Sequence, residues 1–341
     1  MKKFLKRSVL LGLIFLAAAC STDPIDEVLE HGADFESYSI ENYESSEISK
    51  TIDKKNHTIL IQLPSDLKDG SGLRPKFTAS KNATVTMKGN PQTSGTVTLN
   101  FNETQQYTIT SEDKQVANRW EVTVTNNDYT IPWGLGIILA EECSNNGSYD
   151  FYFQQQHTGP YSDNNCGPTA AVMAMKWYDS SFTGTVEKAR EEIPSSEKAG
   201  GLNWYPEDVY NYIERHGAKP YFLDFNKSSY AEYVHAIREK LQEGCIAICC
   251  IKMSSVTISE NPDSEQRVNK YYPGTFGHFL LIKGYKEMAG TGKTWFEIHD
   301  PWGLDKKYAD GTFAGANRYY LALEVAKCID WNKLTVVIPP R

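Results

Sequence analysis

Short β-prone runs closed by turn residues recur from His57 to Thr125 and then stop, so the first third of this chain and the rest of it must fold on different plans. The runs are His57 to Leu63, Arg74 to Thr78, Ala83 to Met87, Gly95 to Phe101, Gln105 to Thr110 and Arg119 to Thr125. Thr96, Thr98 and Asn100 alternate with Val97, Leu99 and Phe101, the period of two expected of a half-buried strand. Strands at this spacing predict a small β-sandwich over residues 37–128. The stretch holds one histidine and no cysteine, so it gathers no catalytic set and reads as a spacer or a binding module. Asn126, Asn127 and Asp128 end the pattern, and beyond about residue 130 aromatics, histidines and cysteines become denser. A second domain is expected over residues 135–341.

Before the sandwich, residues 1–20 run from a basic start (Lys2, Lys3, Lys6, Arg7) through an apolar stretch, Val9 to Leu16, to Ala17, Ala18, Ala19 and Cys20. The apolar stretch is too short for a permanent membrane span and has the proportions of a signal peptide. From Ser21 to Glu47 there are nine acids and no lysine or arginine, a like-charged run expected to stay extended, with residues 21–36 as an acidic tether. Loss of the leader takes the formal charge from -8 to -12, and the chain lacks the basic face that a phosphate backbone requires. Nucleic acid is not an expected partner. The seven cysteines include no CxxC and no Cys/His spacing of a zinc site, so neither a disulfide scaffold nor a metal centre is indicated.

Cys166 stands out among them. Asp163, Asn164 and Asn165 give way to Cys166, Gly167, Pro168, Thr169 and an Ala-rich stretch in which Ala170, Met173, Ala174 and Trp177 fall at helical spacing. Proline is tolerated in a first helical turn and not later, which places Cys166 at the helix start. The positive pole of the helix and its unsatisfied N–H groups favour a thiolate there. Gly167 permits close approach of another segment to the sulfur, and the Cys166 N–H is available to a developing oxyanion.

A thiolate nucleophile needs a base, and seven histidines are available. His31 and His57 lie outside the second domain, while His216 and His235 sit in polar helical stretches. His278 heads an apolar strand, Phe279 to Tyr285, behind Gly274 and Gly277. A second strand, Trp295 to His299, ends at Asp300-Pro301, and a turn at Gly290 to Gly292 would pair the two. Asp300 is then placed to accept the second ring N–H of His278. His299 is the rival base, but adjacent strand residues face opposite ways, so His299 and Asp300 should not enter one site. Upstream, one of Gln154, Gln155 and Gln156 is placed to supply a second oxyanion hydrogen bond. Cys245, Cys249 and Cys250 read as core, Cys143 and Cys328 as a potential pair in an exported protein, and the polar insertion Ser254 to Gly274 as a lid or substrate rim.

This order of motifs resembles the papain-like cysteine peptidase superfamily, and within it the free-standing relatives of the bacteriocin-processing, double-glycine-leader peptidases. The resemblance covers about residues 140–335. It implies an α+β chain, a papain-like cysteine peptidase domain preceded by a small all-β immunoglobulin-like sandwich. It further implies Cys166 as nucleophile, His278 as base and acid, Asp300 as orienter and Gln155 as oxyanion donor, with a peptide or protein as substrate and no cofactor. The Leu-Ala-Ala-Ala-Cys order resembles a bacterial lipobox, which implies lipidation of Cys20, export and anchoring to a membrane. Sandwich and acids together resemble Bacteroidetes lipoproteins of the outer membrane. Two alternatives stay open: the same thioester used for acyl transfer, and a retired peptidase fold that only binds.

Overall fold

The structure, a computed structural model, describes residues 29–127, 137–194, 202–225 and 229–340. Cys20 and the leader lie outside the described residues.

The sandwich is built from eight strands: β1 (Phe35–Ile40), β2 (Ser49–Asp53), β3 (Thr58–Gln62), β4 (Pro75–Ala79), β5 (Thr84–Met87), β6 (Asn90–Pro91), β7 (Gln105–Thr110) and β8 (Ala117–Thr125). One sheet runs β2-β3-β8-β7-β5-β6 and the other pairs β1 with β4. Every second residue of the central strands is buried (Ile59, Ile61, Tyr107, Ile109, Trp120, Val122, Val124), which is how a period of two becomes a one-sided core. Phe35 fills the middle, in edge contact with Tyr38, Tyr107 and Trp120.

Two expectations are corrected here. Gly95 to Phe101 is not a strand. Gly95 has a positive φ, Thr96 is held in a turn by the Thr93 carbonyl, and Asn100 accepts from the Asn102 N–H, so only a bridge from Leu99 to Leu73 remains. The acidic tether also ends earlier than residue 36. Ala33 and Phe35 are in the core, and the acids of this region meet cations from other segments: Glu30 with Lys81, Glu36 with Lys54, Glu41 with Arg74 and Glu44 with Lys76. Charge repulsion read along a local window misses partners brought by folding.

The second part is layered around one seven-stranded sheet. Its elements are β9 (Leu139–Ser144), α1 (Cys166–Tyr178), α2 (Val186–Glu192), α3 (Pro206–Arg215), β10 (Pro220–Asp224), α4 (Tyr230–Gln242), β11 (Ile246–Lys252), β12 (Gly277–Met288), β13 (Thr294–His299), β14 (Arg318–Leu321), α5 (Ala322–Cys328) and β15 (Lys333–Val337). The order is β10-β15-β11-β12-β13-β14, with β9 joining the far half of β12. Apolar residues fill β11 without alternation, as a sheet covered on both faces requires. Ile246, Ile248 and Cys250 face α1, while Ala247, Cys249 and Ile251 face the layer of α4 and α5. Gly167 through Met175 are all buried, so α1 is apolar all round and forms the core of its layer. Cys245, Cys249 and Cys250 are core, as expected. Cys143 and Cys328 do not pair: the Cys143 sulfur donates to the Leu241 carbonyl on one element, and Cys328 is buried at the end of α5.

β12 changes partner midway, and the change needs a glycine. Residues 277–282 pair with β11 and residues 284–288 with β9. A Cβ on Gly284 would lie inside the contact radius of the Cys143 carbonyl oxygen and close to the Glu297 carboxylate. Gly284→Ala is therefore expected to destabilise the chain by roughly 1–3 kcal/mol, the usual range for overpacking, read as a melting temperature several degrees lower in thermal unfolding.

Candidate active site

Cys166 is the first residue of α1 and is partly buried there. The next residue, Gly167, has no Cβ, and this gives Trp204 and Phe279 room to sit against the start of the helix. The residues just before it are clamped. Asn165 donates to the Thr158 carbonyl at 3.0 Å, and its Oδ1 accepts from Nε and Nη2 of Arg190 at 2.9 and 2.7 Å. Arg190 Nη2 also donates to the Asn164 carbonyl at 2.9 Å. A guanidinium fork thus fixes the turn that delivers the thiol.

His278 opens β12 and is 1 % exposed. Its Nε2 lies 2.7 Å from Oδ1 of Asp300, which is 0 % exposed. The other ring nitrogen, Nδ1, is left free on the side of the cleft that His278 and Cys166 line together, where each group shifts the titration of the other. The pairing of Leu281 with His299 explains the selection between the two histidines. It puts residue 299 on the face of Leu281 and residues 278 and 300 on the other. His299 packs edge-on against Phe151 and Tyr152, accepts the Asn317 N–H at Nδ1, and is held neutral by burial and the Lys283 ammonium.

The electrostatics follow from these contacts. Burial works to raise the Cys166 thiol, but the His278 ring and the N–H groups of Phe279 and Gly167 outweigh it and hold the thiol below its ordinary value. For His278 burial works downward, yet the Asp300 carboxylate and the Cys166 sulfur raise the imidazole to about 10. Asp300 is lowered despite burial by His278, the Tyr320 hydroxyl and the Trp302 N–H. Tyr272 and Tyr320 both donate to its Oδ2, at 2.8 and 2.6 Å, and Trp302 N–H to Oδ1 at 2.8 Å. Its main chain is equally fixed, the N–H donating to Gly315 and the carbonyl accepting from Tyr152.

The three glutamines separate clearly. Gln154 turns to Asp305. Gln155 is 1 % exposed, donates its main-chain N–H to Pro301 next to Asp300, and gives one Nε2 hydrogen to the Ser162 carbonyl at 2.8 Å, leaving the second. Gln156 makes neither link. A cleft of about 320 Å³ opens over the thiol, lined by Cys166, His278, Trp204, Phe276, Trp302 and Trp331 among others. The insertion Ser254 to Gly274 is not a free lid: its own Arg267 and Lys270 are buried, and Lys270 donates to the Gly274 carbonyl. Only Phe276, just past its end, reaches the cleft rim.

Arg190, Asn165, Tyr272 and Tyr320 were not anticipated from sequence. The tyrosines stand among 20 and carry no local pattern, and Arg190 reads as an ordinary charge on a polar helix. Arg190→Met should keep the fold, seen by near-ultraviolet circular dichroism, while slowing alkylation of Cys166 at neutral pH by roughly tenfold through loss of the clamp and of a nearby positive charge.

A family described as SGBP, N-terminal matches residues 37–124, and the Peptidase_C39 like family matches residues 148–327. No curated protein matches the sequence. Among solved structures, a C39-like peptidase from Bacillus anthracis is 15 % identical, over 59 % of this chain and 98 % of that one, with a TM-score of 0.34. UfSP from C. elegans is 14 % identical over 59 % of this chain and 34 % of that one, at 0.38. A secreted protein from Bacteroides fragilis is 16 % identical over 29 % of this chain and 98 % of that one, at 0.22. With more than half of its length matched by that second family model, the chain belongs to the Peptidase_C39 like family, in the papain-like cysteine peptidase superfamily, behind an all-β N-terminal domain.

Proposed function

We propose that this chain is an active cysteine peptidase, exported and held on a membrane by a lipid on Cys20, in which Cys166, His278 and Asp300 act as a triad. The observation that carries the reading is the buried His278 ring, bonded to the Asp300 carboxylate and facing the same cleft as the Cys166 thiol, whose titration it lowers. The Cys166 thiolate attacks the substrate carbonyl carbon, and the resulting oxyanion takes hydrogen bonds from the Cys166 N–H and the free Nε2 hydrogen of Gln155. The imidazolium gives its Nδ1 proton to the leaving amine, the C–N bond breaks and a thioester remains. Water then attacks the thioester while His278 takes a proton from it, and the acid departs with the thiol restored. Asp300, held by two tyrosines, keeps the charge and orientation of the ring throughout.

The signs of the shifts set the pH behaviour. With the thiol lowered below its ordinary value and the imidazole raised to about 10, thiolate and imidazolium coexist in the window between the two. Turnover should fall above that point as the imidazolium loses its proton, while alkylation of Cys166 persists because the thiolate remains. In His278→Ala burial is opposed only by the N–H groups of Phe279 and Gly167, so the alkylation midpoint should move up from the wild-type value toward that of an ordinary thiol, about 8.5. Asp300→Asn should lower kcat by roughly 10²- to 10⁴-fold.

The deciding experiment uses the full-length protein in detergent, a limiting thiol alkylator from pH 4 to 11 with peptide mapping, and digestion of a mixed peptide pool. Selective labelling of Cys166 at pH 6, lost in His278→Ala, together with cleavage lost in Cys166→Ala, is the expected result. Labelling of Cys166 no faster than of Cys143 in both proteins would sink it in favour of a retired binding protein. For the anchor, Cys20→Ala should move the protein from the membrane to the soluble fraction, and unchanged membrane recovery would refute lipidation.

A further inference from the structure

The cleft over Cys166 shares a wall with a second cavity. Asp330 and Trp331 line both, the second having a volume of about 250 Å³. Trp331 is the partition, and it is an unusual one. Its side chain is 44 % exposed, and its main chain sits in the left-handed region at φ 53°, followed by Asn332 at φ 52°. Two consecutive non-glycine residues in that region strain the main chain. The turn is held in place from both sides: Asp330 N–H donates to the Cys250 carbonyl at 2.8 Å, and the Asn332 carbonyl accepts from Phe225 at 2.8 Å. The indole is braced by Tyr205 and Phe279, with ring centroids 5.4 and 6.4 Å away. An exposed aromatic platform kept in a strained turn between two cavities is a feature of ligand contact rather than of folding.

The second cavity differs from the first in chemistry. The catalytic side of Trp331 is aromatic; the far side is lined by residues that carry hydrogen-bond donors, Lys252, Lys327, Ser254 and Ser255. Against them stands one carboxylate, Asp330, 3.6 Å from Lys252, too long for a close hydrogen bond. Tyr233 lines the same cavity at 4 % exposure, and its hydroxyl has no hydrogen-bond partner among the described residues. A buried hydroxyl without a partner is unfavourable, and an acceptor entering the cavity would satisfy it.

Building on the peptidase reading above, we infer that this cavity is a specificity subsite for an acidic side chain of the substrate, with Trp331 as the ridge over which the peptide passes from the subsite to the bond cleaved at Cys166. A glutamate or aspartate there would accept from Tyr233, Lys252 and Lys327, and its backbone would lie on the indole while the residues nearer the cleaved bond occupy the aromatic cleft.

The test is cleavage-site profiling of the full-length protein on a proteome-derived peptide library, repeated with Lys252→Glu/Lys327→Glu, Tyr233→Phe and Trp331→Ala. The wild type should show an acidic residue enriched at one fixed distance from the cleaved bond. The charge-reversed variant should favour lysine or arginine at that same position and lose about tenfold or more in kcat/KM on acidic peptides, the scale of a lost charge-assisted hydrogen bond. A gained preference cannot come from misfolding. Tyr233→Phe should lower kcat/KM severalfold for acidic peptides only, and Trp331→Ala should blur the position of the enrichment. Cleavage with no acidic position, or with one indifferent to charge reversal, overturns the subsite and leaves the peptidase standing. No cleavage by the wild type, with Cys166 unreactive, overturns both.

Discussion

A charged imidazole can exist inside this protein only because a charged carboxylate meets it there. His278 and Asp300 are both sealed from water, and an isolated charge in such a place would be neutralised rather than tolerated. The pair persists because Asp300 receives four donors: the imidazole, two phenols and one main-chain N–H. Each donor comes from a different part of the chain, so the sheet, the insertion before β12 and the turn after β13 must all be in place before the ring can carry its proton. The charge on the imidazole and completion of the fold are therefore linked at one carboxylate.

The other half of the site arrives from the opposite layer. α1 brings the sulfur to the sheet end-on, and glycine at its second position lets Trp204 and Phe279 close around it. Arg190 holds the preceding turn, so the thiol is positioned by a helix at one end and a guanidinium at the other. Gln155 ties the two halves, its main chain joined to the Asp300 side and its amide to the segment leading into Cys166.

Much of this was legible in the amino-acid order because it rests on local rules. Pro168 located the helix start, strand alternation separated His278 from His299, and the glycines at 290 and 292 marked the hairpin that pairs β12 with β13. What was not legible depended on distance in the chain. The phenols that satisfy Asp300 lie 28 and 20 residues from it, and Arg190 lies 25 residues from Asn165. The acids before β2 looked like a repelling tether because their cations sit on other strands, and the alternating stretch after Gly95 looked like a strand because a turn and an Asn-centred loop leave no mark on a hydrophobicity pattern. Choosing among three adjacent glutamines likewise required knowing which of them faced inward.

The change of partner along β12 has a mechanical side. Its first half carries His278; its second half runs on to the hairpin tip at Ala289 and Gly290, where Ala289 joins the core of the sandwich and bonds to Ile138, and Gly290 lies against Asn102. Asn126 of the sandwich is bonded twice to Leu139 at the start of β9, the strand that flanks that second half. One continuous strand thus begins at His278 and leads to a hairpin tip inside the neighbouring domain. The sandwich and the His278 ring are therefore mounted on the same strand, one at each end of it.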